Sequence, residues 1–295
     1  MIHIEPVRPD DWTAALTWAL ARTPADQRAE RVNQCVNFLE NGVLDPRGIW
    51  IAKSGSDIVG AQVCVPLAGA SALFWLPTAT NDIADALVQA ALDWCRSIGC
   101  KLAQALTKPE ELSWSAPLVR RGFRLITRLH QLKRDLDDLP APLPSALRYE
   151  NYRPSLIRDF AATLERSYEG TLDCPELNDK RTMDEILAGH RGQGKFHADF
   201  WRVAYLGAQP VGVLMLVEMP DALTWELAYV GVVPEFRRQG LGRAMVIHAL
   251  HALAAEGAAK LLLAVDDRNA PALGLYSELG FTTIESNEVL LHFFP

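Results

Sequence analysis

The chain has 295 residues, of which 49% are hydrophobic and 22% charged, and its formal net charge at pH 7 is −7. This composition excludes a disordered chain and predicts a soluble globular protein with two domains. No apolar run could span a bilayer, no signal peptide is visible, and the five cysteines form no zinc or disulfide pattern, so we expect a cytoplasmic protein. The negative charge disfavours nucleic acid and anionic membranes as partners and favours a cationic substrate.

The first half of the chain alternates strand and helix patterns. Hydrophobic periodicity predicts strands over 49–53, 58–65 and 72–76, a helix over 83–98 and a strand over 101–106. The segment 136–146 contains three prolines and cannot form a helix or a central strand, so it is a predicted surface linker. We therefore expect one domain over residues 1–135 and a second over residues 147–295.

The second half repeats this order of elements. It contains predicted strands over 201–206, 211–218, 223–233 and 261–265, helices over 240–256 and 271–279, and a closing hairpin made of 281–285 and 288–293. An antiparallel meander followed by a strand–helix–strand crossover predicts an α/β fold of the α+β type, with a mixed, mostly antiparallel sheet flanked by helices. The dipeptides Gly122-Phe123 and Gly280-Phe281 each follow a predicted helix near the end of a half of the chain. This match indicates an internal duplication.

The most informative segment joins the third strand of the second half to its long helix. This segment, residues 237–244, is called the cradle here and reads Arg237-Arg-Gln-Gly240-Leu-Gly242-Arg-Ala244. Two glycines let the backbone approach a ligand closely, and the free N–H groups of a helix start attract anions. The pattern predicts a pyrophosphate site, or else a tight turn with a basic surface. A dinucleotide-binding fingerprint is excluded because Met245 replaces its third glycine.

Two motifs together resemble those of the GNAT acetyltransferase superfamily. The motifs are Arg237-x-x-Gly240-x-Gly242 and Asn269-x-x-Ala272-x-x-Leu275-Tyr276-x-x-x-Gly280-Phe281. The resemblance covers residues 150–295 strongly and residues 1–135 as a weaker copy. It implies two tandem GNAT-like domains, as in the two-domain enzymes of the mycothiol synthase type.

The resemblance implies acetyl-CoA, or another short acyl-CoA, as co-substrate and no metal. The pyrophosphate would then lie on the amides from Gln239 to Ala244, and the pantetheine arm would pair with the strand before the cradle. The cofactor-binding residues predicted in this way are Val230, Val232, Arg237, Arg238, Gln239, Gly240, Gly242, Arg243, Ala244, Asn269 and Tyr276.

Three residues are predicted to carry the chemistry. An attacking amine must lose a proton, and Glu226 stands in the family position of the general base. The amide of Val232 would stabilise the oxyanion that forms on the thioester, and Tyr276 would protonate the departing thiolate. From the residues alone, Glu226 could equally face solvent on the sheet, and Tyr276 could be a packing residue.

The first half is predicted to be a degenerate pseudo-domain. When the two copies are aligned on their Gly-Phe words, Asp82 and Asp85 fall where the second half has its cradle, and Leu118 falls where it has Tyr276. Carboxylates at that place would repel a pyrophosphate. The second half, over residues 147–295, is therefore predicted to be the catalytic domain.

The predicted function is acyl-CoA-dependent N-acylation, with acetyl transferred directly to the primary amine of a small molecule. The sequence leaves three alternatives: mycothiol-synthase-like acetylation of a cysteinyl sugar, acetylation of protein lysines or N-termini, and a non-catalytic acyl-CoA sensor. Residues 168–176, called the acceptor loop here, carry Glu169, Asp173 and Glu176 and would suit a cationic acceptor, or else form a solvated acidic loop. We expect a monomer or a homodimer.

Overall fold

The computed structural model describes residues 1–80 and 82–295 and divides the chain into two compact units. Unit 1 comprises Met1–Ile126 and Asn287–Pro295, and unit 2 comprises Thr127–Ser286. No helix in the described part of the chain is both long and apolar enough to cross a membrane.

Unit 1 is built on a sheet with helices packed against it. Its strands are β1 (Ile2–Pro6), β2 (Ile49–Ser54), β3 (Asp57–Leu67), β4 (Ser71–Phe74) and β5 (Leu102–Thr107), and its helices are α1 (Trp12–Ala19), α2 (Ala25–Glu40), α3 (Asn81–Ser97) and α4 (Ala116–Arg120). Neighbouring strands pair in chain order, antiparallel except for the parallel pair of β4 and β5.

Unit 2 repeats the plan. Its strands are β6 (Arg124–Asp135), β7 (Leu147–Asn151), β8 (Lys195–Leu206), β9 (Gln209–Glu218), β10 (Thr224–Val232), β11 (Lys260–Asp266) and the first part of β12 (Thr282–Phe293), and its helices are α5 (Ile157–Tyr168), α6 (Met183–Arg191), α7 (Leu241–Ala255) and α8 (Ala270–Glu278). The sheet runs in the order β6, β11, β10, β9, β8, β7, with only β10 and β11 parallel. Both units thus have the predicted mixed, mostly antiparallel sheet.

The last strand of each half pairs with a strand of the other half. β6 comes from the first half, yet its residues pair with β11 from Lys260 opposite Asp135 to Asp266 opposite Leu129. The end of β12 pairs in turn with β5, from residue 288 to residue 293. The chain therefore passes from unit 1 to unit 2 after residue 126 and returns to unit 1 after residue 286. These boundaries differ from the predicted domains 1–135 and 147–295.

The predicted closing hairpin over 281–293 is wrong. The structure has one continuous strand, β12, over Thr282–Phe293. The second part of this strand pairs with β5 and not with the first part. Because its backbone N–H and C=O groups are satisfied by β5, no hairpin turn is needed.

Two apolar layers enclose the sheet of unit 2. On one face, α7 buries a stripe of side chains together with Leu132 of β6 and Trp225 of β10. On the other face, α5 and α6 cover an aromatic cluster that contains Phe160 and Trp201, whose rings stack at 5.8 Å. These layers fix both faces of β10, the strand that leads into the cradle.

We expect a fragment of residues 147–295 to lose cooperative folding because it lacks β6. The fragment would expose the edge of β11 and would miss Leu132, which is 3% exposed in the core of unit 2. Burying one leucine contributes about 2 kcal/mol, and a domain is stable by only roughly 5–15 kcal/mol. Urea unfolding followed by circular dichroism would measure this, with the fragment 124–286 as the control that keeps β6. Equal unfolding midpoints for the two fragments would refute the expectation.

Candidate active site

A cleft opens in unit 2 where two parallel strands part. β10 and β11 pair at three positions only, ending at Glu226 opposite Leu262, although β10 continues to Val232. The register of β10 on its other partner, β9, shifts between Leu227 and Tyr229. Such a bulge bends a strand, and here it accompanies the divergence of β10 from β11.

The amide of Val232 points into this cleft. The next amide, that of Val233, donates to the carbonyl oxygen of Val211 on the β9 side at 3.0 Å. Because consecutive amides of a strand point to opposite edges, the N–H groups of Val232 and Val230 face the side from which β11 has parted. This edge can hydrogen-bond an extended ligand arm in the way that an added strand does.

The cleft is a cavity of about 850 Å³, within the range of small-molecule sites. Nine predicted site residues line it: Val230, Val232, Arg237, Arg238, Gly240, Gly242, Arg243, Asn269 and Tyr276. Three others, Glu226, Gln239 and Ala244, are not among the lining residues that the structure describes.

The cradle has the backbone of an anion-binding turn. Arg238 and Gly240 both adopt left-handed conformations, with φ of 61° and 78°, and Gly240 caps the start of α7. The alternation of backbone conformation turns several N–H groups towards one side, and the first amides of a helix have no partner within it. The amide of Ala244 differs from the prediction, because it donates to the carbonyl of Gly240 as the first bond of α7.

Arg237 was predicted to lie beside the phosphates, but the structure places its guanidinium against backbone carbonyls. Its guanidinium donates to the carbonyl oxygens of Val232 at 2.9 Å, Ser167 at 3.0 Å and Gly170 at 3.2 Å. The side chain therefore ties β10 to the end of α5, where helical carbonyls lack partners. It fixes the backbone around Val232 rather than offering its charge to the cradle.

The other polar residues of the motifs have simpler surroundings. Arg238 is exposed at the rim and forms no ion pair with the described residues, whereas Arg243 pairs with Glu278 at 2.5 Å. The side chain of Asn269 caps α8 by accepting a hydrogen bond from the backbone N–H of Ala272. The side-chain N–H of Gln239 donates a hydrogen bond to the backbone carbonyl of Glu235. Arg238 is therefore the cation of the cradle that is most available to an anion.

The two residues predicted to move protons occupy different positions. Tyr276 is 6% exposed and lines the cavity, and burial raises the pKa of its hydroxyl, so that it remains a proton donor. Glu226 lies where β10 and β11 still pair, and burial raises the pKa of its carboxyl above the ordinary value. A base at this position is suited to accept a proton through intervening water.

The acceptor loop contributes residues 170–173 to the lining of the cavity, and two of its carboxylates accept hydrogen bonds although Glu169 and Asp173 are exposed. Glu176 accepts two hydrogen bonds from Arg268, at 2.7 and 3.0 Å, and the amide of Asp266 donates to the carboxylate of Asp173 at 3.0 Å. The sequence analysis missed Asp266 and Arg268. The only signal was their position immediately before Asn269 of the second motif.

The comparisons with known proteins agree with this geometry. The sequence model of the acetyltransferase (GNAT) family matches residues 164–281. Over these residues the chain is similar to GNAT acetyltransferases. A mycothiol acetyltransferase of Streptomyces bingchenggensis is 31% identical over 172 residues, which cover 56% of this chain and 54% of that protein. The chain spans about half the length of the curated relatives that it matches.

Solved structures show the same fold over the chain. A GCN5-related N-acetyltransferase from Sphaerobacter thermophilus superposes with a TM-score of 0.66 at 15% identity, covering 99% of this chain and 95% of that one. A tandem GNAT protein from the clavulanic acid biosynthesis pathway gives a TM-score of 0.56 at 16% identity, covering 100% and 99%. These similarities confirm the predicted fold of two tandem GNAT-like domains.

Gly231 in the cleft-lining part of β10 should not tolerate a side chain. A Cβ there would meet the hydroxyl of Tyr229, and it would lie 2.8 Å from Oγ of Ser167, which is itself hydrogen-bonded to Tyr229. We expect Gly231→Ala to reduce the free energy of unfolding by about 1–3 kcal/mol. Gly274→Ala is the matched control, because a Cβ there meets open space on α8. Urea unfolding would compare the two, and equal stability would contradict the packing described for β10.

Proposed function

We propose that unit 2 transfers an acetyl group from acetyl-CoA to the primary amine of a small molecule. The observation that supports this most directly is the divergence of β10 from β11. It gives a single cavity an open strand edge at Val232, the cradle at the start of α7 and the hydroxyl of Tyr276. An acyl thioester with a diphosphate at its far end matches these three features in chemistry and order.

The donor would be held mainly by backbone groups. The amides of residues 241–243 at the start of α7 are suited to the pyrophosphate, with Arg238 adding charge at the rim. The amides of Val230 and Val232 would pair with the pantetheine arm. Asn269 supports this arrangement by capping α8, the helix that carries Tyr276.

The reaction would proceed by direct attack. The amine nitrogen bonds to the carbonyl carbon, and negative charge on the oxygen is stabilised by the amide of Val232, a contribution of roughly 3–4 kcal/mol in acyl transfer. The proton of the amine passes through water to Glu226. When the tetrahedral intermediate collapses, the carbon–sulfur bond breaks and Tyr276 protonates the thiolate.

The relatives support a narrower candidate for the acceptor. They are called mycothiol acetyltransferases, so acetylation of a cysteinyl sugar is the second function to test. Acetylation of protein lysines or N-termini has no comparable support. We place the activity in the cytoplasm, in a monomer or homodimer that needs no metal, nucleic acid or membrane.

The first half would serve as a pseudo-domain without a bound CoA. In unit 1, the carboxylate of Asp85 on α3 forms an ion pair with Arg120, accepting hydrogen bonds from Nε at 2.9 and 3.0 Å and from Nη2 at 2.7 Å. The helix start that corresponds to the cradle thus carries carboxylates, one of which is already paired. This chemistry supports a structural role for the unit.

Titration calorimetry with CoA should give one binding site per chain. The physical reason is that unit 2 offers the free amides of the cradle, whereas unit 1 has Asp82 and Asp85 at the corresponding helix. Gly242→Glu, which puts a carboxylate into the cradle, should abolish this site. A second site that survives in the Gly242 variant would overturn the assignment of unit 1.

Release of CoA thiol with a panel of primary amines tests the catalytic assignments. We expect Glu226→Gln and Tyr276→Phe each to lower kcat by about 100-fold, while both variants still bind acetyl-CoA. In the wild type, kcat/KM should rise with pH as Glu226 loses its proton. Because burial raises this pKa, the midpoint should lie above 4.5 and should vanish in Glu226→Gln.

Two outcomes would change this interpretation. Equal rates in all three proteins would remove both proton-transfer roles. Tight binding of acetyl-CoA without turnover of any amine would instead support the acyl-CoA sensor.

A further inference from the structure

The cavity has one carboxylate among its described lining residues, and it is Asp173 of the acceptor loop. The same cavity is lined by Arg238 and Arg243 of the cradle. Its lining therefore carries positive charge on the cradle and one negative charge on the acceptor loop. Glu226, the predicted base, is absent from this described lining.

A pair of reciprocal hydrogen bonds fixes the position of Asp173. The amide of Asp266 donates to Oδ1 of Asp173 at 3.0 Å, and the amide of Cys174 donates back to Oδ2 of Asp266 at 3.0 Å. Oδ2 of Asp173 accepts no hydrogen bond from the residues that the structure describes. One oxygen of this carboxylate is thus anchored, and the other is left for a ligand in the cavity.

The neighbouring carboxylate, Asp266, is already neutralised. It is fully buried and accepts hydrogen bonds from Arg268 at 2.7 Å and from the hydroxyl of Thr127 at 2.6 Å. Burial alone would raise its pKa, but these hydrogen bonds outweigh burial and lower the pKa. Ligand-type atoms of Asp173, Cys174 and Asp266 lie within 4.8 Å of one another, and Arg268 already pairs with the carboxylate of Asp266 at 2.7 Å.

Two arginines hold the acceptor loop at both ends. Arg237 binds the carbonyls of Ser167 and Gly170 at its beginning, and Arg268 binds Glu176 at its end. Arg237 also binds the carbonyl of Val232. The spacing between Asp173 and the amide of Val232 is therefore set before any ligand arrives, which favours a reacting geometry that needs little reorganisation.

We propose that Asp173 binds the ammonium group of the acceptor and makes the site selective for cationic amines. This inference rests on the proposed function. The charged acceptor pairs with Oδ2 of Asp173, which holds its nitrogen in the cavity that the thioester enters. The ammonium first loses one proton to solvent water, and the neutral nitrogen attacks the carbonyl carbon. The second proton of the nitrogen passes through water to Glu226 while Tyr276 protonates the departing thiolate. Asp173 supplies binding and orientation and takes no part in the proton transfers.

A matched pair of variants and a matched pair of ligands test this role. Asp173→Asn removes the charge but keeps an oxygen for the amide of Asp266, and Glu169→Gln removes an exposed charge of the same loop outside the described cavity lining. The ligands are L-cysteinamide, which carries an ammonium, and 3-mercaptopropanamide, which lacks it. Calorimetry in the presence of CoA gives the affinity of each protein for each ligand. Loss of the thioester of acetyl-CoA, followed by its ultraviolet absorbance, gives KM and kcat.

We expect the wild type and Glu169→Gln to bind the ammonium ligand at least about tenfold tighter than its neutral analogue. Asp173→Asn should bind the two within about twofold, with KM for the amine raised about tenfold or more and kcat and acetyl-CoA affinity nearly unchanged.

Retention of the preference in Asp173→Asn, or its absence in the wild type, would overturn the proposal. The comparison of ligands in the wild type needs no variant to fold. Selective binding that depends on Asp173 but is followed by no turnover of any amine would support this role and refute the acyl transfer.

Discussion

The candidate site depends on the place where β10 stops pairing with β11. Up to Glu226 β10 pairs with a strand on both edges. Beyond it, β9 is its one strand partner in the described structure, and Arg237 binds the carbonyl of Val232. Buried backbone donors need acceptors, so an unpaired strand edge inside a cavity is a site for a ligand with peptide-like groups. The bulge after Leu227 accompanies this divergence, and the missing side chain at Gly231 leaves room for Tyr229 and Ser167 beside the strand.

The arginines show how hydrogen-bond satisfaction can override charge. A guanidinium next to an anion cradle suggests a phosphate ligand, but it also carries five donors that fit unpaired carbonyls. Arg237 donates hydrogen bonds to unpaired carbonyls at the end of α5, and Arg268 forms ion pairs with the carboxylates of Glu176 and Asp266. Both contacts fasten the acceptor loop, so that the walls for donor and acceptor form a connected hydrogen-bonded structure.

The two copies of the repeat are not the same as the two units of the structure. The pattern over 288–293 correctly predicts a strand, but such a pattern does not specify the partner of the strand. β6 joins the edge of β11 and the end of β12 joins β5, since each pairing satisfies an otherwise open edge. For this reason the proline-rich segment after β6 is a linker in sequence without marking the boundary of a unit.

The sequence by itself determined the fold class, the tandem repeat and the position of the cradle, because these depend on hydrophobic periodicity and on motifs of fixed spacing. It could not determine that Glu226 lies beside the cavity while Asp173 faces into it. That distinction depends on where β10 diverges and on how Asp266 holds a loop from a distant part of the chain. Contacts between residues far apart in sequence are decided by packing and by the pairing of buried polar groups, which only the tertiary structure contains.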